Sequence, residues 1–225
     1  MNESGKGSPA KLFWVVILLI VLYAALDILA QSLPPYYSPV RQPESDFAVG
    51  TFGFIMTLNF LNRGVLSLVF IFAFLETLDR AGVSRSHFLT GIYLLAVWAI
   101  GAILLALFRT DVPATPVSWH GAIHLVVAVV AFIGGAFGTV AISRNIRHYH
   151  ALEGLNHVAL PTAVFVMICF VAQVVVLFAP ALNAQIGGLI ERIFLGSVLL
   201  WIGLVSAYWA THVPVLDLEP DRRIT

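Results

Sequence analysis

Charge is scarce in this chain. Only 11% of its 225 residues are Asp, Glu, Lys or Arg, and twelve basic side chains balance twelve acidic ones. A formal net charge of zero leaves no basic footprint for nucleic acid. Cysteine is nearly absent as well. With Cys169 alone, a disulfide framework within the chain is excluded and the redox compartment stays open. The sequence also lacks G-x-G-x-x-G, Walker, G-x-S-x-G and C-x-x-C patterns, which removes the usual support for nucleotide chemistry.

What is abundant is apolar. Hydrophobic residues make up 60% of the chain and mean hydropathy is +0.93. Six runs stand out, at about 12–31, 51–75, 88–108, 121–143, 159–179 and 187–210. Each is long enough to cross a ~30 Å hydrocarbon core as a helix. Ten-residue alternating segments of the barrel type are missing, so the expected fold is all-α: a polytopic six-helix bundle. The first run is too long for a signal-peptide core and no A-x-A-like site follows it, so it reads as a retained helix. The tails are 1–11 and 211–225.

Lys6, Lys11, Arg80, Arg85, Arg144, Arg147, Arg222 and Arg223 fall on one side of this topology, and only Arg41 and Arg109 on the other. The positive-inside rule therefore predicts both termini in the cytoplasm of a multi-pass inner-membrane protein. The connection over 32–50, SLPPYYSPVRQPESDFAVG, is the long one. Its prolines argue against a helix, and its length makes it either a functional loop or a plain cover for helix ends.

Polar side chains inside the runs gather toward that loop's side. They are Asp27 in the first run, Asn59, Asn62 and Arg63 in the second, His120 and His124 at the start of the fourth, Gln173 in the fifth, and Glu191 and Arg192 in the sixth. Asp46, Arg109 and Asp111 lie on loops at the same end. Charges in a bilayer cost ~2.5–3.5 kcal/mol each or more, so they turn toward the bundle interior or a wet cavity. Arg63 sits about 16 Å in from Phe52 at 1.5 Å per residue. It needs a partner, and Asp27 and Glu191 are the candidates by depth. Asn59, Asn62 and Gln173 read equally well as glue between helices. The set GGAFG, with Gly134 and Gly138 four apart, predicts close helix packing.

His120 and His124 share a helix face, with Cβ atoms ~5–6 Å apart. Asp46, Asp111 or Glu191 can supply a third zinc ligand, Asp111 lying only nine residues before His120, with Ser45 or Asp46 assisting. The plainer reading has them as interfacial hydrogen-bonders, with His120 pairing to Asp111.

With these residues in view, the chain resembles the prokaryotic membrane-protein family catalogued as domain of unknown function number 998. The resemblance lies in Tyr37-Ser38-Pro39, Gln42, Ser45-Asp46, Asn59-Phe60, Gly64, Phe108, Thr110-Asp111, His120-Gly121 and His124, with Arg109 where a proline is expected. It implies a multi-helix bundle in the cytoplasmic membrane and no settled activity. A looser resemblance, through H-x-x-x-H with Ser and Asp, is to the ceramidase and adiponectin-receptor group of intramembrane metal hydrolases. Those have seven spans and a third histidine.

Three functions follow as expectations. The first is a polar, outward-facing pocket that binds or moves a lipid headgroup or small anionic solute, using Arg63, Arg192, Arg109, His120 and His124. The second is a metal-dependent hydrolase acting on a lipid at the outer leaflet, with zinc on His120, His124 and Asp111. The third is a structural or assembly subunit. Membrane lipids are the expected partners in the first two. Nucleic acid is not expected as a partner, and the oligomeric state and the question of enzymatic activity stay open.

Overall fold

Hydrocarbon cannot satisfy backbone N–H and C=O groups, so each long apolar run must satisfy its own as a helix. In the computed structural model, which describes residues 9–112, 115–149 and 152–216, six helices do so. They are α1 (Pro9–Ser32), α2 (Gly53–Arg80), α3 (Leu89–Leu107), α4 (Trp119–Ile146), α5 (Glu153–Leu177) and α6 (Pro180–Leu216). All six contain stretches long and apolar enough to cross a membrane, and no strand occurs among the described residues. Lys6, Arg222 and Arg223 lie outside those residues.

Most helices outrun the apolar segments that predict them. α2 and α4 each extend by a turn or so at the end nearest the termini, and α6 begins seven residues early, at Pro180. Proline is well placed at a helix start, where its missing N–H has no intrahelical partner to lose. Ser118 caps α4, its hydroxyl accepting from the Gly121 N–H. The 32–50 connection was expected to be free of helix. It holds one short 3-10 turn, Glu44–Ala48.

Each helix packs against the next in the chain, and α6 closes the circle against α1. The half of the bundle nearest the termini is filled with rings. Phe13, Phe70, Phe74, Phe88, Trp201 and Trp209 are all buried there. Two indole N–H groups inside this core find partners, Trp201 donating to Ser143 Oγ (2.9 Å) and Trp98 to Ser67 Oγ (3.2 Å), while that of Trp209 does not. A second, smaller core lies at the opposite end, around Phe47, Ile55, Met56, Phe60 and Leu105.

The seam between α3 and α4 is close, as GGAFG predicts. A Cβ on Gly134 would sit 2.6 Å from the Leu94 carbonyl oxygen, and one on Gly138 3.0 Å from the Leu95 nitrogen. Neither backbone can retreat without moving a whole helix. Gly196, on α6, is different: a Cβ there would have nothing within 4 Å.

Gly134→Val is therefore expected to cost about 1–3 kcal/mol of stability through overpacking. Gly196→Ala is expected to be neutral or to gain about 0.5–1 kcal/mol from lost backbone freedom. Thermal unfolding of the two purified variants in one detergent checks both. Equal midpoints would mean the seam is not packed as described.

Candidate functional site

Arg63 organises the end of the bundle away from the termini. The residue is 1% exposed, and its side chain projects from α2 between two aromatic rings. The guanidinium carbon lies 5.2 Å from the centre of Phe60 and 5.0 Å from that of Trp98, a cation–π seat on both sides. Its ion-pair partner is Glu44, at 3.5 Å. This corrects the expectation of Asp27 or Glu191. Glu44 comes from the 3-10 turn of the connecting loop, which dips into the bundle far enough to leave the residue 2% exposed. Tyr23 on α1 donates its hydroxyl to the Glu44 carboxylate, and the Glu44 backbone N–H donates to Glu191 Oε1 (3.0 Å). Four segments thus meet at one loop residue.

Arg192 holds that loop in place. Its Nη1 donates to the carbonyls of Pro39 (2.9 Å) and Gln42 (2.8 Å), its Nε lies 3.8 Å from Asp27, and its guanidinium lies 4.7 Å from the centre of Phe47. The Leu189 N–H donates to Val40 O (3.0 Å), and a Cβ at Gly188 would overlap the Gln42 backbone. Arg192 was expected to face a ligand. Its Nη1 is instead committed to loop carbonyls, and through that atom it serves as a clamp, while Nε and Nη2 make no hydrogen bond. Asp27 accepts from Gln31 (2.5 Å) beside it. The loop also closes on itself, through Tyr37 Oη to Val49 O (3.0 Å) and Ser38 N–H to Gln42 Oε1 (2.7 Å).

Beneath the clamped loop lies a cavity of about 540 Å³. Arg63, Glu44, Glu191, His124, Gln173 and Asp46 supply its polar wall. Leu125, Val129 and Ile133 of α4 and Phe170, Val174 and Leu177 of α5 supply an apolar one. Within the polar wall several groups lack partners: Arg63 Nε and Nη1 make no hydrogen bond, nor do Glu44 Oε2 and Gln173 Oε1. Burial pushes the Asp46 carboxyl up to about 6, against the opposing pull of Arg192.

Of the predicted site residues, Arg63, His124, Glu191 and Asp46 share this cavity. Asn59 is fully buried nearby, with only a weak 4.0 Å contact to Met56 Sδ. Asn62 ties α2 to α1 through Leu19 O (2.9 Å), as helix glue would. Arg109 and His120 are exposed and are not among the lining residues. Glu44 was missed. It stands beside the Ser45-Asp46 pair singled out in the sequence, and only a search for Arg63's partner outside the spans would have found it.

The His120, His124 and Asp111 set is occupied otherwise. His124 Nδ1 bonds Phe108 O (2.7 Å), and His120 stacks on Trp119 with centroids 3.5 Å apart. Asp111 accepts from the Ser118 hydroxyl (2.5 Å) and backbone N–H (2.9 Å), which hold its carboxyl below the usual range. The expected pairing of Asp111 with His120 is thus replaced by a bond to the α4 cap. No group of three His, Cys, Asp or Glu side chains is arranged for a metal ion among the described residues.

Removing Glu44 strands a buried cation. Glu44→Leu is expected to lower stability by about 3–5 kcal/mol, while Glu44→Leu with Arg63→Met recovers most of that loss. Unfolding of the two single variants and the double variant gives the coupling. A double variant no better than Glu44→Leu alone would show that the pair does not act as one unit.

The model of a family described as protein of unknown function (DUF998) matches residues 17–208. No curated protein and no solved structure matches the chain.

Proposed function

The chain belongs to the DUF998 family of proteins of unknown function, and from that premise we propose that its cavity binds or moves a lipid headgroup or small anionic solute. One observation carries the reading. A guanidinium buried inside the bundle keeps donors unspent while lining a cavity large enough for a small molecule. A purely structural bond would need neither the full charge nor the space.

The site is mostly prepared before any ligand arrives. Phe60 and Trp98 fix the guanidinium plane, Glu44 offsets its charge, and Arg192 fixes the loop that delivers Glu44. A phosphate or carboxylate meeting Arg63 would share it with Glu44 or displace that carboxylate from a loose 3.5 Å contact. His124 and Gln173 add further hydrogen-bonding groups on the same wall. The Lys/Arg distribution, with Lys11, Arg80, Arg85, Arg144 and Arg147 at the opposite end, supports termini in the cytoplasm and a cavity toward the outer face of an inner membrane. Zinc hydrolysis and a purely structural role draw no comparable observation.

The test is lipid and solute retention. Protein purified in mild detergent is expected to carry a co-purifying ligand, identified by mass spectrometry. Arg63→Gln is expected to lower its occupancy at least about tenfold, from the loss of a charge-assisted bond. Arg109→Gln is expected to leave it unchanged. Equal occupancy in wild type and Arg63→Gln would overturn the reading.

A further inference from the structure

The charges in the cavity wall do not balance as an anion site should. Arg41 and Arg63 face Glu44, Asp46 and Glu191. Glu44 already serves Arg63, and Arg192 already serves Asp27 and the loop. Among the described residues, Glu191 and Asp46 have no cation within ion-pair distance. The wall therefore offers unspent guanidinium donors on α2 and, across from them, two carboxyl groups that lack a cation. A bare anion would satisfy the first and be repelled by the second.

The other wall is greasy and open at the side. Leu125, Val129, Ile133 and Leu177 line the cavity and are also exposed on the outer surface of α4 and α5, where lipid would lie. Phe178, at the end of α5, is 80% exposed and belongs to the same lining. Of the consecutive helix pairs, α4 and α5 are the least closely packed, in contrast to the glycine seam between α3 and α4. A solute site would be closed on this side. A site for an amphiphile needs such a slot, so that the head can sit inside while the chains stay in hydrocarbon.

From these two features we propose that the occupant is a zwitterionic lipid. Its phosphate lies against Arg63, its amine against Glu191 and Asp46, and its acyl chains leave between α4 and α5. This rests on the binding reading above and narrows it from any anion to one lipid class. Asp27 and Arg192 stay outside the head's reach and keep the loop closed over it. Gln173, whose Oε1 has no partner, faces the junction of head and chain and offers the amine or a glyceryl oxygen a further bond.

The test uses the full-length protein in nanodiscs of neutral carrier lipid. The probes are phosphatidylethanolamine, phosphatidylglycerol with the same chains, and free phosphoethanolamine. Wild type is expected to bind phosphatidylethanolamine about tenfold or more tighter than either alternative, the preference of a site with a charged hydrogen-bond partner for the amine. Glu191→Gln and Asp46→Asn, both isosteric, are each expected to erase that preference while leaving phosphatidylglycerol binding intact or stronger. A photoreactive benzoylphenylalanine at Ile133 is expected to capture an acyl chain, with a yield that falls in the Glu191→Gln background.

Equal or tighter binding of phosphatidylglycerol by wild type would overturn the zwitterion and leave the Arg63 anion reading standing. Free phosphoethanolamine binding as tightly as the lipid would overturn the lipid and point to a solute. Capture at Ile133 that does not respond to Glu191→Gln would overturn the α4–α5 exit. If no probe binds and Arg63→Gln changes nothing, both this inference and the reading beneath it fail.

Discussion

A guanidinium buried within a membrane-spanning bundle is the constraint from which the rest of this structure follows. Arg63 cannot face lipid without a cost of several kcal/mol. A counter-charge must be brought to it. No helix supplies one at the right place, so the chain sends a loop residue. Glu44 reaches Arg63 because the connection between α1 and α2 folds inward. A loop inside a membrane protein must have its own backbone groups satisfied. Arg192 takes the carbonyls of Pro39 and Gln42, Glu191 takes the Glu44 N–H, and Tyr37 and Gln42 close the remainder. One buried charge thus accounts for a second arginine, a glutamate and a tyrosine that touch no other part of the bundle's logic.

The two halves of the bundle solve different problems. The half near the termini is packed with rings, and two of its hydroxyls answer the indole N–H groups of Trp201 and Trp98. The other half holds most of the buried side-chain polar atoms without partners, although Asn156, Ser206 and Trp209 near the termini leave one each. Such atoms cost about 1–3 kcal/mol each unless water or a ligand meets them. Marginal stability makes that cost hard to carry without use. The rigid half supplies the reference frame: Trp98 belongs to the aromatic core and at the same time forms one face of the Arg63 seat. The position of the guanidinium is therefore set by packing well away from the loop.

Six helices were legible in the sequence because bilayer thickness imposes a length that simple counting detects, and the family through short motifs such as Ser45-Asp46, Asn59-Phe60 and His120-Gly121. Arg63, His124, Glu191 and Asp46 were legible as groups at one end, since rise per residue converts sequence position into depth. Direction was not legible. Depth placed Arg192 beside Arg63 as a second anion receptor, whereas its side chain turns to the loop. The i, i+4 rule put His120 and His124 on a common face, yet the Ser118 cap draws Asp111 away from His120, and the Phe108 carbonyl takes His124. Glu44 was hidden for another reason. Inward-folded loops have no periodicity, and a search confined to the apolar runs passes over them.

The choice between a binding site and a structural polar knot turns on whether the charges saturate one another. A buried pair retained only for specificity is normally closed, with each donor and acceptor answered by protein, because every omission costs stability without return. The Arg192 cluster leans toward that description: its Nη1 donates to three carbonyls and its Nε lies 3.8 Å from Asp27, although Nε and Nη2 make no hydrogen bond. The Arg63 cluster does not. Among the described residues Arg63 donates to no carbonyl; it has one ion-pair contact, with Glu44 at 3.5 Å, its Nε and Nη1 make no hydrogen bond, and it lines the cavity. Two arginines at one end of the bundle thus differ in what they face rather than in how fully they are satisfied, since each leaves two guanidinium nitrogens without a hydrogen bond. Arg192 is tied to the loop backbone, whereas Arg63 lines the cavity, and it is the cavity-lining charge that structural need alone does not account for.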